Sequence, residues 1–299
     1  MHIFLTGGTG YVGGAVATRL AESGHDVTGL ARSDKAADWL TEHGVKPQRG
    51  SLEDTEVLHN SAQQADVVVH AAIDYDDPGY SSIDEAAVEA LLSGAGGKPV
   101  IYASSTLVLS DTGPGSIPER ESAAAVNVIP FKAHAEQRVL SAGGTVIRLG
   151  LVYGRNGSNL VKTLLSVARS YEVSAYIGTG EARWSQVHVD DAADLFTRVV
   201  DARGGKAGTL VHGVEREAAT FRQIAEAIGR NVGVPVAALT EQQAAEALTP
   251  IFGPAAGAMS AQFTHNLWVT PSKAAEIFGW QPTSSGIVAD LESGSYAAG

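Results

Sequence analysis

"HIFLTGGTGYVGG", residues 2–14, decides how the chain is read. An apolar strand runs into a glycine-rich turn, and the helical pattern "VGGAVATRLAESG" (12–24) follows at once. Gly8, Gly10 and Gly13 fit the G-x-G-x-x-G spacing, while Gly7, Gly10 and Gly13 fit the related G-x-x-G-x-x-G spacing. A glycine triplet acquires physical meaning in this context of strand, turn and helix. Glycine permits the tight turn and lets backbone N–H groups approach a pyrophosphate, and the helix N-terminus adds partial positive charge. Tyr11 and Val12, inside the turn, are placed with the glycines as binding residues. The stretch predicts a dinucleotide-binding α/β domain.

Short Val- and Ile-rich runs recur beyond it: "DVTGLA" (26–31), "DVVVHAA" (66–72), "PVIYAS" (99–104), "TVIRLGLVY" (145–153) and "TLVHGV" (209–214). Helical patterns separate the earlier runs. Fully apolar strands alternating with helices imply a parallel sheet covered on both faces. The later part is less regular. Residues 158–173 and 220–233 read as amphipathic helices, the second capped by Thr220. A shorter helix over 270–280 has Thr270 as its cap and Pro271 at its first position. The Gly/Ala/Pro-rich stretch 248–263 reads as a lid or a plain connecting loop. The expected fold is α/β: a Rossmann-like, doubly wound parallel sheet with a smaller, mostly helical C-terminal substrate lobe. Residues 1–154 and 184–214 are assigned to the sheet domain, and 155–183 and 215–299 to the lobe.

Composition narrows the possible roles. The 299 residues are 44% hydrophobic and carry a formal net charge of −12. A dispersed acidic surface disfavours nucleic acid and anionic membrane as partners. No apolar run is long enough to span a bilayer, and the first residues lack the pattern of a signal peptide, so a cytoplasmic protein is expected. The absence of cysteine excludes disulfides and thiolate chemistry, and the nine histidines show no ligand spacing, so no metal is expected. A small-molecule substrate is the expected partner, with a homodimer as the default assembly.

The second strand decides which dinucleotide. An NAD site wants Asp or Glu at the strand end, to accept a bond from the ribose 2′-OH. Here Ala31 stands at that end, followed by Arg32 and Ser33. A guanidinium and a hydroxyl suit a 2′-phosphate instead, so NADP(H) is preferred over NAD(H). Asp34 comes late in the turn.

Taken together, "TGGTGYVG" (6–13), "DVVVHAA", "YASSTLVL" (102–109), "IRLGLVYG" (147–154), "WSQVHVDDAADL" (184–195) and "KAAEIFGWQP" (273–282) resemble the extended short-chain dehydrogenase/reductase superfamily, of the NAD-dependent epimerase/dehydratase type. The resemblance covers most of the chain and implies several roles. Ala71 and Ala72 line the adenosine and ribose. Ser105 falls on the active-site serine, with Thr106 its neighbour. His188, Asp190 and Asp191 match a helix start and are structural. Leu52 is placed with the cofactor-binding residues, and beside it Ser51 stands where the family has an adenine-binding Asp. "KAHAEQ" (132–137) matches the catalytic helix, so Lys132 lands on the lysine that bonds the nicotinamide ribose. In the family that lysine lowers the pKa of a tyrosine four residues earlier, which then exchanges a proton with substrate. Val128 stands at that position, so the chain lacks the active-site tyrosine.

Three readings follow. The protein is an NADP(H)-dependent oxidoreductase acting on a small, uncharged organic molecule with a substitute acid: Ser105, Thr106, Lys132, Tyr75, Tyr80 or a water held by Lys132. Alternatively, the fold runs chemistry that needs no tyrosine, such as hydride transfer to an activated alkene or iminium, an isomerisation, an epimerisation or a cyclisation. Or the chain is a catalytically silent NADP(H)-binding sensor or scaffold.

Overall fold

A computed structural model describes residues 1–74, 77–119 and 129–297. Tyr75 and Val128 therefore lie outside the described residues. Strand β1 (His2–Thr6) occupies the centre, and its side chains are buried on both faces. Ile3 and Leu5 enter one apolar layer with Val16, Leu20 and Phe196. Phe4 enters the opposite layer with Leu58 and Leu91. Alternate residues that are all apolar require cover on both sides, which a parallel sheet between two helix layers supplies.

From β1 the chain winds outward through α1 (Tyr11–Glu22), β2 (Asp26–Ala31), α2 (Asp34–Glu42) and β3 (Lys46–Arg49). Helix α3 (Thr55–Gln64) carries it back past β1 to β4 (Val67–His70). It then continues through α4 (Tyr80–Ala95), β5 (Val100–Ser105), α5 (Pro130–Ser141) and β6 (Thr145–Leu149). After β7 (Leu151–Tyr153), α6 (Asn159–Tyr171), β8 (Ser174–Ile177), β9 (Gln186–His188) and α7 (Val189–Asp201), β10 (Thr209–Gly213) rejoins the main sheet beside β6. The remaining elements are α8 (Phe221–Val232), β11 (Val236–Leu239), α9 (Glu241–Phe252), α10 (Ala256–Gln262), α11 (Ser272–Phe278) and α12 (Ile287–Ser293). The main sheet has seven parallel strands in the order β10-β6-β5-β4-β1-β2-β3. Its winding reverses between β1 and β4, so a crevice opens at their C-terminal ends.

Three local readings are corrected, and one strand was not foreseen. "TVIRLGLVY" is not one strand. A Cβ at Gly150 would lie 2.1 Å from the Ser185 carbonyl oxygen, and beyond this close approach β7 leaves the sheet to pair with β9. Residues 248–263 are mostly helical rather than a loop, because Thr240 and Gln243 close a capping box that starts α9. The cap of α11 is Pro271, not Thr270. The polar stretch "KPQR" forms β3, an edge strand, where a proline is tolerated. Among the described residues no helix is long and apolar enough to cross a membrane.

One buried ion pair ties α5 to the sheet. Arg148 on β6 donates to Glu136 from Nε (2.9 Å) and Nη2 (2.6 Å), and Ser104 of β5 donates to the same carboxylate at 2.5 Å. The Arg148 and Glu136 side chains are 0% and 2% exposed. Removing one member leaves an uncompensated buried charge. Glu136→Ala is expected to cost about 3–5 kcal/mol in denaturant unfolding; a loss near zero would show the pair to be dispensable.

Candidate active site

The glycine turn settles which spacing matters. A Cβ at Gly13 would lie 2.1 Å from the Gly7 carbonyl oxygen, and one at Gly7 would lie 2.7 Å from the Ala71–Ala72 backbone. Gly7 also takes φ +78°, a left-handed conformation. The Gly10 N–H donates to the Gly7 carbonyl at 2.9 Å. Gly7, Gly10 and Gly13 thus form the crowded triplet, while Gly8 packs against Leu40. The start of α1 has no side-chain cap. Its first N–H groups, on Tyr11, Val12 and Gly13, have no partner within the helix and can meet an anion. The Tyr11 side chain is committed elsewhere. Its hydroxyl donates to the Gly154 carbonyl at 2.7 Å, and burial, reinforced by Tyr296, holds the phenol far above its ordinary range. Tyr11 therefore tethers the turn to the loop after β7.

Strand β2 ends at Ala31. Arg32 beyond it is largely exposed and pairs with Asp74, which follows β4, so the pair reaches across the crevice. The Ser33 hydroxyl accepts from the Ala36 N–H at 3.2 Å as the cap of α2, leaving its own proton to donate. Asp34 pairs with Arg49. Asp54, itself exposed, accepts from the Ser51 N–H at 2.6 Å and from its hydroxyl at 3.0 Å, fixing the turn that carries Leu52. Leu52 packs on the Phe4 layer. Ala71 and Ala72, half-buried, stand beside Gly7.

At the other end of the crevice, Ser105 closes β5 and its hydroxyl accepts from the Leu107 N–H at 3.2 Å. Thr106 is buried in the following 3-10 turn. Tyr80 lies edge-on against Phe131, with ring centroids 5.2 Å apart. Lys132, on the first turn of α5, is buried. Its Nζ donates to the Tyr102 hydroxyl (3.1 Å) and the Ala103 carbonyl (3.2 Å). Burial pushes the ammonium pKa down, and the charges of Asp84 and Glu136 oppose that shift.

Sequence reasoning missed the groups behind Lys132. Tyr102 donates to Asp84 at 2.9 Å, Asp84 Oδ1 lies 3.3 Å from His70 Nε2, and His70 Nδ1 shares a 2.6 Å hydrogen bond with the Thr6 hydroxyl. The signal was present. His70 and Tyr102 interrupt strands that are otherwise apolar, and Asp84 shares a helix face with Ala87, Val88 and Leu91. A further unforeseen carboxyl is Glu215, which accepts from Tyr153. Burial raises it to about 7, with Asp191 adding to the shift and the Tyr153 and His188 bonds opposing it. Among the described residues, no group of His, Asp or Glu could hold a metal.

A glycine cradle beside the reversal point of a parallel sheet, with Lys132 and Ser105 at the sheet's C-terminal edge, defines an extended short-chain dehydrogenase/reductase. A model of the NAD dependent epimerase/dehydratase family matches residues 3–212, and the chain belongs to that family. An uncharacterised protein of Schizosaccharomyces pombe is 32% identical, over 99% of this chain and 100% of its own length. The 4-hydroxy-2-methyl-3-oxo-4-farnesyl-3,4-dihydroquinoline-1-oxide ketoreductase of Stigmatella aurantiaca is 27% identical, over 74% of this chain and 71% of that one. Among solved structures, the dTDP-glucose 4,6-dehydratase of Bacillus anthracis, in complex with NAD, superposes with a TM-score of 0.76. It is 16% identical and covers 99% of this chain and 96% of that one, a likeness of fold. The family is one of enzymes.

Glu215 carries a pH signature. Its ordinary value is 4.5 and its folded value about 7. Between the two the folded state holds the extra proton, so this contribution is full below the ordinary value and is lost as pH rises through the folded one. Glu215→Gln is expected to flatten that part of the Tm–pH profile; an unchanged slope would contradict the assignment.

Proposed function

We propose that the protein is an NADP(H)-dependent oxidoreductase acting on a small, uncharged organic molecule. The observation that carries this reading is the end of β2. β2 itself ends without a carboxylate, and Arg32, which a 2′-phosphate would share with or draw away from Asp74, joins the free donor of Ser33 in supplying what that phosphate needs. The residues fit a dinucleotide. The Gly7–Gly10–Gly13 cradle leaves room for backbone N–H groups to meet the pyrophosphate, with Ala71, Ala72 and Leu52 on the adenosine side. When bound, the nicotinamide supplies or accepts hydride. Lys132 bonds the nicotinamide ribose, and Ser105 donates its hydroxyl proton to the reacting polar group. Thr106 supports the turn that presents Ser105.

Val128 in the tyrosine's position fits a site whose proton comes from another group. Ser105, Thr106, Tyr80 and Lys132 are the candidates among the described residues; Lys132 has one N–H beyond its bonds to Tyr102 and Ala103, which would have to be shared between the ribose and a held water. An uncharged substrate fits the apolar character of the later residues. An apolar cluster that includes Ile129 and Phe131, beside Lys132, also contains Phe221 and Phe263. Those two rings line a cavity of about 460 Å³ with Leu164, Ile224 and Leu248, whose walls include neither Lys132 nor Ser105. The ketoreductase name of one relative agrees with carbonyl reduction. Residues 155–183 and 215–299 form the substrate lobe in this reading. The net charge of −12 fits a small-molecule partner rather than nucleic acid or a membrane surface.

Arg32→Ala is expected to weaken NADPH binding about tenfold or more, the worth of a charge-assisted contact, and NADH by less than about twofold. Equal losses for both would remove the 2′-phosphate assignment. Turnover is tested by NADPH consumption across a panel of ketones, activated alkenes and imines. Lys132→Met is expected to lower kcat about 100-fold or more, within the range of acid–base catalysis. Product formed without NADPH consumed would overturn the redox reading in favour of isomerisation or cyclisation.

A further inference from the structure

Lys132 is a cation in a nearly dry place, and a row of equally buried polar groups stands behind it. Thr6, His70, Asp84 and Tyr102 are each no more than 1% exposed, and Lys132 is 5% exposed. They come from five different elements, β1, β4, α4, β5 and α5, so the row is a product of the tertiary fold. Burying a carboxylate in an apolar layer is costly unless charge and hydrogen bonds compensate it. Asp84 is compensated in part: the Tyr102 hydroxyl donates to Oδ2, His70 Nε2 lies 3.3 Å from Oδ1 without hydrogen-bond alignment, and the charge of Lys132 stands beyond. Burial raises its pKa, yet His70, Lys132 and Tyr102 together outweigh that and hold it below the ordinary carboxylate range.

Among the described residues two carboxylates act on the Lys132 ammonium, Asp84 from α4 and Glu136 on its own helix. Glu136 is shared with Arg148 through two hydrogen bonds, whereas Asp84 has no Arg or second Lys partner among the described residues. The geometry of the donors is equally constrained. An ammonium has three N–H groups. Two are taken by Tyr102 Oη and the Ala103 carbonyl, with Nζ 4.7 Å above the Tyr102 ring centre. One remains.

We propose that Tyr102 and Asp84 are positioning residues for Lys132, keeping it charged and aiming its third N–H into the crevice. Tyr102 does not take the missing tyrosine's part. Its ring lies in the layer between β5 and the helices, among Val88, Ala135 and Val139, where no substrate reaches. It acts through the lysine. The proposal rests on the reading of Lys132 as the cofactor-facing cation, and its test separates the two.

The test is competitive acetylation with trace acetic anhydride across roughly pH 6 to 11, a span around the ordinary lysine value. Mass spectrometry then reads the half-titration point of Lys132 against surface Lys35 and Lys46. Asp84→Asn is expected to lower that point by about one pH unit or more, and Tyr102→Phe by less, with the surface lysines unmoved. A role confined to packing would lower Tm and leave the titration in place. If Asp84→Asn does not fold, Tyr102→Phe alone decides. An unchanged Lys132 titration in a folded Tyr102→Phe variant, or in both variants, overturns the proposal. NADPH affinity is measured alongside. Tyr102→Phe should weaken it about threefold or more in the wild type and add nothing in a Lys132→Met background. A shifted titration together with NADPH affinity indifferent to Lys132→Met would sustain the positioning and overturn the cofactor role of the lysine.

Discussion

The contact between Gly13 and the Gly7 carbonyl is the constraint on which the rest of the structure hangs. The two backbones approach so closely that a Cβ at Gly13 would lie 2.1 Å from the Gly7 oxygen. This closeness brings α1 down onto β1 and leaves the helix start bare. Gly7 is pressed in turn on Ala71 and Ala72, which fixes β4 as the neighbour of β1 and so sets where the sheet reverses. Tyr11 then reaches from the same turn to Gly154, tying the loop after β7 to it. Fold, crevice and the bare start of α1 are three consequences of one steric fact.

Much of this was legible because it is local. The glycine spacing, the apolar strands and the capping of α8 by Thr220 are written in a few consecutive residues each. So was the carboxylate-free end of β2, since one short strand contains the whole argument. What was not legible depended on partners far along the chain. Gly150 ends a strand only because Ser185 arrives beside it. "KPQR" becomes a strand only because β2 offers it an edge. The choice between two glycine spacings needed the backbone contact itself. The row from Thr6 to Lys132 joins residues up to 126 positions apart in the sequence (132 − 6 = 126), and no window contains it.

That row also reframes the missing tyrosine. In the usual arrangement a phenol shares the catalytic helix with the lysine and faces the substrate. Here a phenol bonds the lysine from β5, on the side away from the crevice. The lysine has an aromatic hydroxyl as partner. In the proposed function, this buried ammonium is the charged group held at the nicotinamide end. Phe131, Phe221 and Phe263 belong to one apolar cluster, the basis of the uncharged substrate proposed above.

The most direct test of the central claim is a calorimetric titration of the wild-type protein with NADPH and, separately, with NADH. The account predicts binding of NADPH at least about tenfold tighter than NADH, one charge-assisted contact's worth of free energy. Equal affinities, or tighter NADH, would contradict the role given to Arg32 and Ser33. Binding of neither would contradict the cradle itself.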